Sequence, residues 1–156
     1  MNPLRRTLLK SSAATGAMIA ASAVGLLSVQ NVLAAEWNKS AFEAKTAADA
    51  VNSLGAATAA NSADLVIKAP DIAENGAVVP IDLISNIPNT ESLSVLVDNN
   101  PLPLAGSFSF ANGAVPMVGV RLKLAKSSTI KVVAKAGGKF YSASKEIKVT
   151  VGGCGG

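Results

Sequence analysis

Between Leu65 and Val151 apolar residues recur at every second position, in short runs broken by proline, asparagine and glycine. Side chains of a strand point alternately to opposite faces, so this period demands half-buried strands and rules out a helical fold. The run Leu65–Lys68 is closed by Pro70, and Asp71 to Gly76 reads as a loop turning at Asn75-Gly76. Val78–Ile84 is a second strand, in which Pro80 asks for an edge or a bulge because it has no N–H to give. Leu93, Val95 and Val97 mark a third, ended by Asp98-Asn99-Asn100-Pro101, and Ser107–Phe110 alternates as a fourth. Val118, Val120, Leu122 and Leu124 share one face of a fifth. Ile130, Val132 and Ala134 mark a sixth, with Lys131 and Lys135 behind them, and Gly137-Gly138 makes a hairpin. The last strand runs from about Phe140 to Val151, with Ile147, Val149 and Val151 set against Lys145, Lys148 and Thr150. About seven strands at this spacing predict a mainly β fold, an immunoglobulin-like antiparallel β-sandwich. No cysteine pair ties the sheets, and Trp37 lies outside the strands, so the domain is not antibody-like.

One short helix precedes the strands. Ser40 with Glu43 three residues on reads as a capping box, and Phe42, Thr46, Ala50 and Leu54 repeat at i+4. The spacing predicts a helix over 41–54, stopped by Gly55. Its apolar stripe is thin and alanine-rich, which suits packing on a sheet or a partner. Residues 56–63 are a linker of small residues.

The chain closes on Val151-Gly152-Gly153-Cys154-Gly155-Gly156, which holds its only cysteine. Glycine lacks Cβ and reaches positive φ freely, so four glycines around Cys154 predict a flexible arm with an accessible thiol. Burial as a small apolar residue would need apolar neighbours, and this tail has none. The prenylation pattern places cysteine fourth from the end, and here it is third. A frayed terminus without a role leaves the choice of a reactive residue unexplained.

The front of the chain says where such a thiol would work. Arg5-Arg6 precedes a mildly apolar stretch from Ala13 to Val29, then the small residues of Val32-Leu33-Ala34-Ala35. This order predicts a removable twin-arginine export signal over residues 1–34 and a periplasmic protein with no permanent membrane anchor. Without Arg5, Arg6 and Lys10, the 14 basic residues fall to 11 against 10 acidic ones, a net charge of +1. The basic character of the whole chain therefore belongs to the signal, and no nucleic-acid partner is expected. The expected organisation is a signal at 1–34, helix and linker at 35–63, sandwich at 64–151 and carrier arm at 152–156.

There is no histidine. With one cysteine besides, the chain has no donor set for zinc, copper, haem or an iron–sulfur cluster, so no cofactor is expected. It also lacks the usual general base to activate a nucleophile, and no catalytic residue is assigned. The twin-arginine route carries folded proteins. Without a cofactor, the physical reason left is a chain that folds on a partner subunit and leaves with it. The lysines of the last three strands read as a solvated face that blunts edge pairing, or as a weak attraction for an anion carried on Cys154.

Pro70-Asp71-Ile72-Ala73-Glu74-Asn75-Gly76, Leu96-Val97-Asp98, Gly138-Lys139-Phe140-Tyr141-Ser142 and the terminal Gly-Gly-Cys-Gly-Gly resemble the SoxY family of bacterial thiosulfate oxidation. The resemblance runs from the signal to the last residue, and the tail is its most specific part. It implies a non-catalytic sulfur carrier paired with a SoxZ-like subunit, both immunoglobulin-like. It also implies that Cys154 is the site of covalent attachment and that Gly152, Gly153, Gly155 and Gly156 form its arm. A haem-containing SoxAX-like enzyme would join thiosulfate to Cys154, and a SoxB-like hydrolase would release sulfate and leave a persulfide. Depending on the organism, a SoxCD-like sulfane dehydrogenase would oxidise that sulfur in place. Two other readings stand beside this one: a sulfur carrier using a C-terminal Gly155-Gly156 thiocarboxylate, and a structural subunit tethered by an intermolecular disulfide at Cys154.

Overall fold

The computed structural model describes residues 38–111 and 113–150. Two short helices, α1 (Lys39–Glu43) and α2 (Ala47–Ser53), precede nine strands among these residues. They are β1 (Ala60–Asn61), β2 (Leu65–Lys68), β3 (Ile72–Ala73), β4 (Val79–Ser85), β5 (Thr90–Val97), β6 (Leu104–Ser109), β7 (Met117–Leu122), β8 (Ser128–Ala136) and β9 (Lys139–Val149). The larger sheet has the order β1-β9-β8-β5-β6, with β3 also on β9, and the smaller has the order β2-β4-β7.

The predicted sandwich is present. Leu93, Val95 and Val97 of β5, Ile130, Val132 and Ala134 of β8, and Ile147 of β9 face Val79, Ile81 and Leu83 of β4 in one buried cluster. Burying each such side chain contributes about 1.5–3 kcal/mol. The described ion pairs, Lys39–Glu43, Lys135–Glu91 and Lys145–Asp71, each have at least one solvent-exposed partner, where about 0–1 kcal/mol is usual. Apolar burial therefore decides the stability. Among the described residues the buried hydroxyls are all paired: Ser85 with Thr90, Ser94 with Ser107, and Ser128 with the Lys126 carbonyl.

The structure corrects several expectations. The single helix over 41–54 is two helices. Ala44 leaves helical geometry at ψ 139°, and Asn38, not Ser40, caps α1 by accepting from the Ala41 N–H. The Ser40 hydroxyl donates to that same Asn38 side chain, so it is not free to cap. Thr46 caps α2 by accepting from the Asp49 N–H. Gly55 ends α2 as expected, at φ 75°. Ala41, Ala50 and Ala56 press the two helices onto Leu96, Leu104 and Val133, on the outer face of the larger sheet. Small residues are what allow this close approach.

The two extra strands come from the linker and the loop. β1 and β3 pair with β9 in parallel, so the sandwich is not wholly antiparallel. Two-residue strands show no period, and the sequence pattern hides them. Pro80 sits in the central strand of its sheet, but the last rung to β2 is Lys68↔Asp82. Its missing N–H therefore faces an edge locally. Lys145 lies opposite Ile130 and so shares the inward face of Ile147, not the solvated face of Lys148. A period of two requires this. Gly137 and Gly138 form the expected hairpin at φ 54° and 73°. Among the described residues no helix is long and apolar enough to cross a membrane.

At the hairpin pole, Glu91 accepts from Lys135 Nζ at 2.7 Å and from the Gly138 N–H at 3.4 Å. The Lys135 hydrogen bond is the main reason its carboxyl is held below the usual carboxylate range. A depressed folded-state pKa stabilises above the unfolded value and loses that contribution as pH falls through the folded one. Glu91→Gln should therefore be slightly less stable than the parent at neutral pH. The gap should close on acidification below the ordinary Glu value of about 4.3. Denaturant titrations across that range check this, and a gap that widens in acid would contradict it.

Candidate functional site

The Cys154 attachment site and Gly152, Gly153, Gly155 and Gly156 of its arm lie outside the described residues, as does the expected last strand residue Val151. The structure describes the root from which they leave, and the root is built from both sheets. β8 begins at Ser128, opposite Ile147, so β9 overruns it. The overrun is held by other groups. On one side β3 runs alongside, with Ile72↔Lys148 and Ala73↔Val149 as partners. The Lys148 N–H donates to the Asp71 carbonyl at 2.9 Å, and the Thr150 N–H to the Ala73 carbonyl at 3.1 Å. On the other side the Val149 N–H donates to Ser127 Oγ at 2.9 Å. Each backbone donor of 148–150 thus has a partner, and a strand end that would otherwise fray is fixed.

The neighbours of these groups are fixed in turn. Lys145 Nζ donates to the Ala69 carbonyl at 2.7 Å and pairs with Asp71 at 2.9 Å, which pins the segment entering β3 against β9. Asn99 Nδ2 donates to the Ser127 carbonyl at 2.7 Å. Asn100 clasps the same loop by donating to the Lys123 carbonyl and accepting from the Ala125 N–H. Gly76 brings the smaller sheet in. Its carbonyl accepts from the Leu124 N–H at 2.7 Å, and a Cβ there would lie 2.6 Å from the Leu124 oxygen and 2.9 Å from Val149 Cγ1.

Sequence reading missed these supports. Asn99 and Asn100 read only as strand enders, and Asp71 only as loop. Gly76 in an Asn-Gly turn was the one available signal. Of the lysines considered for a positive face, Lys135 and Lys145 are already paired with Glu91 and Asp71, which favours the solvated-face reading. Among the described residues no group of three or more His, Cys, Asp or Glu side chains is placed to hold a metal ion.

A surface depression of about 480 Å³ is lined by Ser85, Ile87, Thr90, Phe110 and Pro116 among others. It sits at the hairpin pole. The ten steps of β9 separate that pole from the root by about 33 Å at roughly 3.3 Å per residue. Cys154 is four residues past Thr150, a reach of about 14 Å. The thiol cannot enter this depression of its own chain.

Fold and root together define a β-sandwich whose last strand is braced up to Thr150. The family model of the sulfur oxidation protein SoxY matches residues 50–154, up to and including Cys154. The chain belongs to the SoxY family. Among solved structures it is similar to the sulfur carrier protein SoxY from Chlorobium limicola f thiosulfatophilum, at 37% identity and a TM-score of 0.63, covering 70% of this chain and 96% of that one. A superoxide reductase (neelaredoxin) from Ignicoccus hospitalis matches at 23% identity and a TM-score of 0.49, covering 56% of this chain and 83% of that one, too distant to bear on function. No curated protein matches the chain.

Gly76→Ala should destabilise the protein by about 1–3 kcal/mol, the usual cost of overpacking, because backbone on one side and Val149 on the other cannot both yield. Ser127→Ala should leave global stability nearly unchanged but speed amide exchange at Val149. Denaturant melts and residue-resolved hydrogen exchange check the pair.

Proposed function

We propose that this chain is a sulfur carrier which holds thiosulfate-derived groups covalently on Cys154 and offers them to partner enzymes in the oxidation of thiosulfate to sulfate. The observation that carries the reading is the family match running through Cys154. The similarity to a sulfur carrier protein over 70% of the chain supports it. The chain is a covalent substrate carrier and not itself an enzyme. It works in the periplasm after twin-arginine export, in a heterodimer with a SoxZ-like subunit.

The chemistry suits a thiol on a glycine arm. Thiolate is the reactive form, and an exposed cysteine has a pKa near about 8.5. The Cys154 thiolate and the sulfane sulfur of thiosulfate form an S–S bond while two electrons pass to a SoxAX-like haem enzyme. The product is a cysteine S-thiosulfonate. Water then attacks the sulfone sulfur in a SoxB-like hydrolase, and the bond between the two outer sulfurs breaks. Sulfate and protons leave, and a persulfide stays on Cys154. A SoxCD-like sulfane dehydrogenase is the further partner where that sulfur is oxidised on the carrier. Covalent attachment keeps each intermediate from solvent between enzymes. Glycines on both sides of the sulfur leave no side chain to clash inside a narrow active site. The braced root supplies the complementary property, a fixed point of departure.

Cys154→Ser should abolish thiosulfate-dependent sulfate formation and the thiosulfonate mass on the intact protein, with folding and subunit binding unchanged; activity retained in that variant would refute the carrier role. Gly153→Pro or Gly155→Val should lower turnover by about tenfold, equivalent to roughly 1.4 kcal/mol, without lowering the melting temperature. Steady-state assays with the purified enzymes decide this, and normal turnover with a stiffened arm would show that flexibility is not what the glycines provide.

A further inference from the structure

We infer that the groove beside the helices, on the outer face of the larger sheet, is the seat of Trp37, the residue just before the described chain begins. The groove has a volume of about 300 Å³ and is lined by apolar Leu54, Val133 and Phe140 and by Ser92, Ser94 and Ser107 among others. The register of the sheet builds its floor. Ser107, Ser94 and Val133 stand side by side on three neighbouring strands, and Ser92, Lys135 and Phe140 form the next row toward the hairpin. The helices cover Leu96 and Leu104, but α2 ends at its C-cap, Leu54. Beyond that point the outer face is open, and Leu54 and Phe140 stay half-buried.

The occupant follows from where the described chain starts. Asn38 Nδ2 donates to the Ser53 carbonyl at 2.9 Å, so the start lies beside the end of α2, next to the Leu54 wall. Trp37 is one peptide unit away, about 3.8 Å between Cα atoms, and it is the only tryptophan of the chain. An indole has a large apolar body and one N–H that takes an acceptor when buried. The groove supplies both needs. Its walls are apolar, and the Ser94 and Ser107 hydroxyls bond one another at 2.9 Å. A hydroxyl oxygen has two acceptor lone pairs, so at least one remains on each. A small anion is the other occupant that serines beside a lysine suggest, but Lys135 is already paired with Glu91 at 2.7 Å. The seat also answers a mechanical need. Helices of five and seven residues are too short to hold themselves, and a seated Trp37 pins the entry of α1 to the sheet. The rival site is local. Asn38 caps α1, so Trp37 stands at N′ and Phe42 at N4, the two positions a hydrophobic staple joins.

The test is nuclear magnetic resonance on the isotope-labelled mature chain bound to its unlabelled partner subunit. One tryptophan gives one indole N–H signal. That proton should show Overhauser contacts to the Leu54 and Val133 methyls and exchange with water at least about tenfold more slowly than a free indole, as expected of a buried donor. Ser107→Leu places a larger apolar side chain in the groove from an exposed position. It should abolish those contacts and restore free exchange. An indole that already exchanges freely in the parent overturns the seat, as do contacts unchanged in Ser107→Leu. Contacts to Phe42 alone assign Trp37 to the staple and overturn it. Contacts from the Leu54 or Val133 methyls to the unlabelled subunit give the groove to the subunit and overturn it too. Should Ser107→Leu not fold, Trp37→Ala carries the same test. Loss of the indole ring current should shift the Leu54 and Val133 methyl signals, and unshifted signals refute the seat.

Discussion

The pairing of β9 along both of its edges is the constraint on which the rest of this structure depends. β8 covers one edge from Lys139 to Ile147. The other edge is covered in two pieces, by Ala60–Asn61 opposite Tyr141–Ser142 and by Ile72–Ala73 opposite Lys148–Val149. A terminal strand with one open edge tends to fray or to recruit another chain. Here the open edge is closed by short parallel segments, and Lys145 bridges the interval between them through Ala69 and Asp71. β9 thereby becomes an internal strand, paired on both edges toward its end.

The same arrangement separates two mechanical demands. A carrier thiol must move to enter different active sites, while the protein that bears it must stay in register. The backbone is held in place up to Thr150 by hydrogen bonds from the N–H groups of Lys148, Val149 and Thr150 to Asp71, Ser127 and Ala73. Gly76 ties the smaller sheet to the same point through Leu124 and Val149. The helices contribute from the opposite face, where their alanines cover Leu96 and Val133 without crowding.

Much of the sandwich was legible because its signals are local. Alternation at Leu93, Val95 and Val97 or at Ile130, Val132 and Ala134 reports a half-buried strand wherever it occurs, and Gly137-Gly138 reports its own turn. The helix was legible as helical but not as two pieces, because alanine at 44 carries no breaking signal and Thr46 fits the i+4 stripe, while only the structure shows Thr46 accepting from the Asp49 N–H as a second cap. The expected arm at Cys154 lies outside the described residues. The bracing of β9 before it was not legible, since Asp71, Asn99, Asn100 and Ser127 are common loop residues whose partners lie far away in sequence.

The sequence by itself determined the strand period, the turn positions, the lone cysteine and the lack of histidine, and with them the class of fold and the kind of chemistry open to the chain. These depend on each residue's own conformational preference and functional group. Only the tertiary structure decided that β1 and β3 close the outer edge of β9 and that Lys145 turns inward to Ala69 and Asp71. Those outcomes depend on which distant backbone groups meet, and no local pattern encodes that meeting.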